Sequence, residues 1–309
     1  MIDVTLLGTA ALMPLPERAL AAAAITCAGR SILLDCGEGT QTAARKLHVS
    51  LLKTDLIALT HYHGDHIFGL PGLLQTRFSL GRTEPLYITG PDAPAEMLKP
   101  ILLLAGRLSY EIRVIDADDG DIPLHALNAA WPARAVLKPF MTEHRSVSCG
   151  YAFTLGRAGK FLPQKAKELG IPVPMWSRLQ NGAEVEADGR VFRPEDVLGE
   201  AREGLKVVYS GDTAACDLLT ENARNADLLI CEATYGEDEQ LDLALEHGHM
   251  NFAQAGETAA KANAKRLWLT HYSQMVTDPE EYIANARRSF PEAECGTDGM
   301  RIPLAFENN

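Results

Sequence analysis

Short apolar runs, each closed by a glycine or an aspartate, set the rhythm of the chain. Val4-Thr5-Leu6-Leu7 ends at Gly8, and Ser31-Ile32-Leu33-Leu34-Asp35 stops before Gly37 and Gly39. Runs this short, bounded by turn residues, predict buried strands rather than helices. Thr40 to Leu47 has helical spacing instead, with Ala44 and Leu47 on one side, and Leu56 to Thr60 again reads as a buried strand. Ala19 to Thr26 fits either state: its alanines favour helix, while its place between two turns favours strand.

The second half repeats this grammar. Lys206 to Ser210 predicts a strand leading into Gly211-Asp212-Thr213, followed by a helix-like Asp217 to Arg224 and the strand Ala226 to Cys231. Strand, aspartate turn, helix and strand thus occur twice, around Asp35 and around Asp212. A second echo sets Leu56 to His61 (LIALTH) against Leu267 to His271 (LWLTH), each placing a Thr-His pair at the end of an apolar strand. The repeat implies two related β-α halves that face each other and deliver polar residues to a shared edge. Between them Lys160 to Gly189, with Pro163, Pro172, Pro174, three lysines and Trp176, reads as an excursion from a single-domain core, placed at about residues 155–190.

The segment Thr60-His61-Tyr62-His63-Gly64-Asp65-His66 carries the chemistry. Three imidazoles and a carboxylate fall within six residues directly after a predicted strand. In extended chain His61 and His63 project to one side. Gly64 permits a sharp turn, so that Asp65 and His66 can point back into the same cavity. A polar loop with ordinary hydrogen-bonding histidines is the plainer alternative, but burying so many unpaired polar groups would be costly. Imidazole and carboxylate donors suit zinc, and also manganese or iron. Four ligands on one ion would leave no position for a substrate, whereas a pair of ions can act together on a phosphodiester. That arrangement needs further ligands, and His144, Asp212 and His271 stand at loop-like positions, of which the repeat brings Asp212 and His271 to the same edge as His61.

Bulk properties narrow the setting. The 309 residues carry a net charge of −12, which excludes a nucleic-acid binder with a basic surface throughout but not a local basic patch or a cation-bearing cleft. The six cysteines (Cys27, Cys36, Cys149, Cys216, Cys231, Cys295) show no C-x-x-C pair and predict reduced core residues. No apolar stretch approaches the roughly 18 residues that span a bilayer. Met1 runs into Val4 to Leu7 without a basic segment ahead of an apolar one, so the expectation is a cytoplasmic protein without a membrane partner.

The pattern H-x-H-x-D-H with later His, Asp and His resembles the metallo-β-lactamase fold superfamily. Within it, LLDCGEGTQ (Leu33–Gln41), HGDHIFGLPGLL (His63–Leu74), SGDT (Ser210–Thr213), EATY (Glu232–Tyr235) and HMN (His249–Asn251) ahead of LTHYS (Leu269–Ser273) resemble ribonuclease Z, over nearly the whole chain. The resemblance implies an α/β fold, an αββα sandwich of two mixed β-sheets flanked by helices with two divalent metals, zinc first, at one edge. It implies that His61, His63 and His144 bind one metal, that Asp65, His66 and His271 bind the other, and that Asp212 bridges. Asp65 would orient or deprotonate the attacking water, and Asp35 would support a ligand histidine. His249 would give a proton to the leaving 3′ oxygen, positioned by Glu232; His247 is its rival two residues away. The substrate implied is a tRNA precursor cut at its 3′ end by a homodimer, one subunit's arm holding the RNA cut by the other.

Some positions depart from the family pattern. Asn251 stands where the family has threonine, Leu169 to Pro174 (LGIPVP) keeps only the first part of the arm sequence, and HYSQM lacks a nearby arginine. In the arm, Lys160, Lys165, Lys167 and Arg178 are placed to contact phosphates, and Phe161 and Trp176 to stack or pack. The competing expectations are a phosphodiesterase of the same fold acting on small or cyclic phosphodiesters, a diiron oxidoreductase, and an inactive scaffold. The oxidoreductase branch resembles H-x-E-x-D-H, where this chain has His63, and the full ligand set argues against a scaffold. His48 and His125 are assigned no function.

Overall fold

A computed structural model describes residues 1–307. Two seven-stranded sheets and a separate hairpin contain sixteen strands among these residues. The first sheet is built from β1 (Ile2–Gly8), β2 (Ala22–Cys27), β3 (Arg30–Leu34), β4 (Thr54–Ala58), β5 (Leu86–Gly90), β6 (Ile112–Asp116) and β16 (Arg301–Leu304), in the order β16-β1-β2-β3-β4-β5-β6. The second takes β7 (Ile122–Pro123), β8 (Ala135–Thr142), β9 (Ser148–Arg157), β12 (Arg202–Tyr209), β13 (Leu228–Glu232), β14 (Leu267–Thr270) and β15 (Ala293–Cys295), in the order β15-β14-β13-β12-β9-β8-β7. The short hairpin pairs β10 (Val185–Ala187) with β11 (Arg190–Phe192).

Each sheet is antiparallel up to a pivot strand and parallel beyond it. The pivot is β3 in the first sheet and β12 in the second. The Asp35 and Asp212 turns leave these equivalent pivots, so the first sequence echo is a true structural repeat. The second echo is displaced by one strand: LIALTH lies on β4, next to its pivot, while LWLTH lies on β14, one strand further out. The stretch Ala19 to Thr26 resolves as strand over β2, because β1 and β3 pair with it on both sides.

Strands buried on both faces explain the continuous apolar runs. Ile32, Leu34, Leu56, Val207, Tyr209 and Ile230 point between the sheets with Trp131, Phe153 and Trp268. The intervening Leu33, Ile57 and Leu59 face outward onto the helices Thr40–Lys46, Leu70–Ser79 and Lys99–Ala105. On the other side Val208, Leu229 and Cys231 face the helices Asp217–Ala223 and Phe252–Lys261. The molecule is therefore an αββα sandwich, each buried large side chain stabilising it by about 1.5–3 kcal/mol. All six cysteines are free and buried, and none of the helices among the described residues is long and apolar enough to cross a membrane.

At the end of β4 remote from His61, the Asp55 carboxylate accepts from Trp131 Nε1 (2.9 Å) and Arg30 Nε (2.7 Å), and Arg82 lies 3.4 Å away. The excursion leaves the second sheet after β9 and returns into β12. It has its own core of Ala166, Ile171, Leu179, Val185, Phe192 and Val197, with Phe161 and Trp176 packed on it 5.2 Å apart. It continues past Gly189, which forms the hairpin turn with Asp188, and closes where Gly199 N–H donates to Lys160 O at 2.9 Å. Lys160, Lys165, Lys167 and Arg178 are exposed on it.

Candidate metal centre

The histidine-rich segment leaves β4 at the edge where the pivot turns of both sheets meet. His61 is fully buried; His63 precedes a helical turn, Gly64–Ile67, that swings Asp65 and His66 inward. Gly64 has no left-handed backbone here. Its lack of a side chain serves packing, since a Cβ would collide with the Phe68 ring. Two other glycines set the depth of the segment: a Cβ on Gly37 would strike the Asp65 carbonyl, and one on Gly69 would strike that of Gly37. This contact is fastened by Cys36 N–H to His66 O at 2.8 Å and Gly69 N–H to Cys36 O at 2.9 Å.

All seven ligand candidates converge. His61, His63, His144 and Asp212 offer donor atoms within 4.8 Å of one another, and so do Asp65, His66 and His271. His61 Nε2 lies 2.9 Å from His63 Nδ1, and His144 Nε2 lies 3.5 Å from that same nitrogen. Asp212 reaches both groups. Its Oδ2 is 3.7 Å from His61 Nε2, while Oδ1 is 3.4 Å from His66 Nε2 and 3.2 Å from His271 Nε2. Asp65 Oδ2 faces the same two nitrogens at 3.5 and 3.6 Å.

The outward nitrogen of most of these rings is held, which fixes ring orientation and tautomer. His66 Nδ1 lies 2.9 Å from Asp35 Oδ2, and Asp35 is itself held by Thr60 N–H (2.8 Å) and the Tyr209 hydroxyl (3.1 Å). Thr60 Oγ1 lies 3.0 Å from His61 Nδ1, Gly248 O lies 2.8 Å from His144 Nδ1, and Thr234 Oγ1 lies 3.0 Å from His271 Nδ1. Asp35 and His271 adopt positive φ, 61° and 59°, a strained setting for residues with side chains that the surrounding contacts enforce. Thr60 and Thr270 differ despite the shared Thr-His pairing. Thr60 anchors His61, whereas Thr270 Oγ1 is buried without a partner and Thr234 anchors His271.

These residues fit divalent cations. His66 Nε2 and His271 Nε2 are buried, surrounded by carboxylate oxygens, and hydrogen bonded to none of them. Burial opposes charge on His66, yet Asp212 and Asp35 hold its pKa well above the ordinary value. Burial and the neighbouring His66 push His61 down to about 2. Burial works against the Asp212 carboxylate as well, but His271, His66 and His61 keep it far below the usual range. Carboxylates packed this closely need positive charge, and a cation on the orphaned nitrogens supplies it without protonating a ring.

Beside the cluster stands a further pair, whose His249 offers a donor atom within 4.8 Å of those of Asp212 and His271. Glu232 is buried and its Oε1 lies 2.7 Å from His249 Nδ1; the carboxylate also accepts from the N–H groups of Thr213 (2.8 Å), Thr234 (3.2 Å) and Met250 (3.2 Å). Burial disfavours a charged His249, but Glu232 outweighs it and raises the pKa to about 9. His247 turns away from this carboxylate and pairs with the Tyr235 hydroxyl at 2.6 Å. His249, His144, His63, Asp65, Asp212 and His271 line one cavity of about 280 Å³. His48 and His125 lie outside it.

Sequence reasoning did not find Thr60, Thr234, Tyr209, Thr213 or the Leu12 N–H that donates to Asp65 Oδ2 at 2.9 Å. Thr60 had a visible signal in the Thr-His pair, and Thr213 and Thr234 stood inside SGDT and EATY, whereas Tyr209 and Leu12 had none.

Comparison with known proteins agrees with this architecture. A family model described as "Beta-lactamase superfamily domain" matches residues 175–272, and one described as "Anti-Pycsar protein Apyc1" matches residues 2–108. The chain is 40% identical to the ribonuclease Z of Lachnoclostridium phytofermentans and 40% identical to that of Clostridium tetani, covering 100% of both proteins in each case. Among solved structures, the short form of human tRNase Z is similar at a TM-score of 0.67 and 28% identity, covering 98% of this chain and 100% of that one. The metallo-β-lactamase fold protein YhfI from Bacillus subtilis shares the fold at a TM-score of 0.68 and 22% identity, with 97% and 98% covered.

Proposed function

The chain belongs to the ribonuclease Z family, and from that premise we propose that it is a metal-dependent endoribonuclease hydrolysing a phosphodiester at the 3′ end of tRNA precursors. In this reading His61, His63 and His144 hold one divalent ion, Asp65, His66 and His271 hold a second, and Asp212 is shared. Zinc is the assigned metal, from the predominance of imidazole donors, with manganese or iron as the other candidates. When bound, such a pair lowers the pKa of water and offsets charge growing on the phosphate.

The chain's own groups do the rest. Asp65 Oδ2 already meets Leu12 N–H and faces His66 and His271, so it is crowded with donors and a poor base. Its role is to orient the attacking water. His249, kept charged by Glu232, gives its proton to the departing 3′ oxygen, which would otherwise leave as a costly alkoxide. The Glu232–His249 pair beside the shared Asp212 carries this reading, because it sets an acid on the cavity wall within reach of Asp212 and His271 and tied to a carboxylate of its own.

The excursion, with its exposed Lys160, Lys165, Lys167 and Arg178, is the proposed arm for distant phosphates of the RNA, on an otherwise acidic molecule. A single-domain core bearing this arm, a homodimer in which one subunit's arm serves the other's site, and a cytoplasmic location belong to the same proposal. The test is incubation of the zinc-loaded protein with a 3′-extended tRNA precursor and, separately, with bis-p-nitrophenyl phosphate. A single cut leaving a 3′-hydroxyl on the tRNA is expected; hydrolysis of the ester alone would favour small or cyclic phosphodiesters as substrates.

A further inference from the structure

Once the ligands and the Glu232–His249 pair are assigned, the cavity still has unassigned polar lining at Arg145, Tyr235, His247 and Ser273, of which only Arg145 and His247 can carry positive charge. No carboxylate lines it apart from Asp65 and Asp212. The two loops that carry Arg145 and His247 are pinned together: His144 Nδ1 lies 2.8 Å from Gly248 O, and a Cβ on Gly248 would come within 3.0 Å of Arg145 N. The residue after His144 and the residue before Gly248 therefore flank one contact at the mouth of the cavity. Arg145 is exposed and His247 is half-buried, so both are open to a ligand. Tyr235 is 6% exposed, and its hydroxyl sits 2.6 Å from His247 Nδ1. The Tyr235 hydroxyl engages Nδ1 and so fixes the ring, leaving Nε2 as the nitrogen turned to a ligand. A guanidinium and an oriented imidazole form an anion site, with the exposed Glu246 carboxylate next to His247 outside the cavity lining.

We infer that Arg145 and His247, the latter oriented by Tyr235, bind the 5′-phosphate of the nucleotide whose 3′ oxygen leaves. The side of the scissile bond follows from His249. It stands two residues from His247, with its ring 6.4 Å from that of Tyr235, so the group it protonates lies nearest this wall. The next phosphate along that nucleotide then falls on Arg145 and His247. Across the mouth, Ala11 and the exposed Leu12 offer an apolar lip, and Ser273 adds a buried hydroxyl but no positive charge for a phosphate. The inference rests on the phosphodiester-cleaving reading of the same cavity.

The experiment titrates the zinc-loaded protein calorimetrically with the dinucleotides UpU and pUpU, which differ only in that phosphate. One charge-assisted contact predicts roughly tenfold tighter binding of pUpU. Arg145→Ala and His247→Ala should each bring the two affinities together at unchanged zinc content, Arg145→Lys should recover part of the difference, and Tyr235→Phe should fall between. Equal binding of the two dinucleotides by the parent protein would overturn the inference. So would variants that keep the preference, since the added phosphate would then be sitting on the metals. Preference for pUpU in a protein that leaves tRNA precursors uncut would sink the tRNA reading and leave this subsite standing.

Discussion

Thr234 Oγ1 stands 3.0 Å from His271 Nδ1, so the last of the proposed ligand histidines is aimed by a residue 37 positions away rather than by its own neighbour Thr270. Thr234→Val should weaken zinc binding by about 10–100-fold, the usual effect of losing a group that orients a ligand. Thr60→Val should act similarly through His61. Thr270→Val, which removes a hydroxyl without a partner, should leave zinc affinity alone and cost little or no stability. Competitive chelator titration of the three variants separates them; a large loss in Thr270→Val would contradict the assignment.

Asp212 touches both donor groups, so its loss cannot be confined to one ion. Asp212→Ala should bind less than half the zinc of the parent, measured by atomic absorption after dialysis, with hydrolysis of bis-p-nitrophenyl phosphate abolished. Retention of one full equivalent with normal affinity would mean that the carboxylate is not shared.

His249→Ala should keep its zinc and lose turnover of the precursor by about 10²–10⁴-fold, the range for a missing general acid. Substrates whose leaving group needs no proton, such as p-nitrophenolate esters, should suffer much less. Equal losses on both substrates would remove His249 from the acid role, whatever its pairing with Glu232.

Zinc removal should destabilise the fold, because carboxylates and imidazoles are left facing one another in buried space. At free zinc about a hundred times the dissociation constant, binding adds about 2.7 kcal/mol to stability. Melting with and without a chelator reads this directly; an unchanged midpoint would show that the cluster tolerates being empty.

Local features were legible in the sequence and remote contacts were not. The apolar runs around Leu33, Ile57 and Val208 announced buried strands, and His61 to His66 announced a loop that gathers imidazole and carboxylate donors, because each pattern is contained in a few consecutive residues. Ala19 to Thr26 stayed ambiguous, since only pairing with β1 and β3 overrides the helical preference of alanine. Tyr209 could not be read as a support for Asp35 across 174 residues. The internal echo was half right: the Asp35 and Asp212 turns leave equivalent strands, but the two Thr-His pairs do not. Gly189 read as the end of the excursion because glycine punctuates loops. Here Asp188-Gly189, both at positive φ, forms a two-residue hairpin turn inside it.

The bond from Gly199 N–H to Lys160 O gives the excursion a narrow neck. For a segment tied off there, the entropic cost of closure grows only with the logarithm of its length, about 0.6 kcal/mol per doubling. Residues can thus be gained, lost or rewritten beyond the neck with little penalty to the sandwich, while glycines such as Gly37 and Gly69 leave the catalytic edge almost no freedom. If the excursion holds RNA as proposed, that grip can diversify without disturbing the cutting edge.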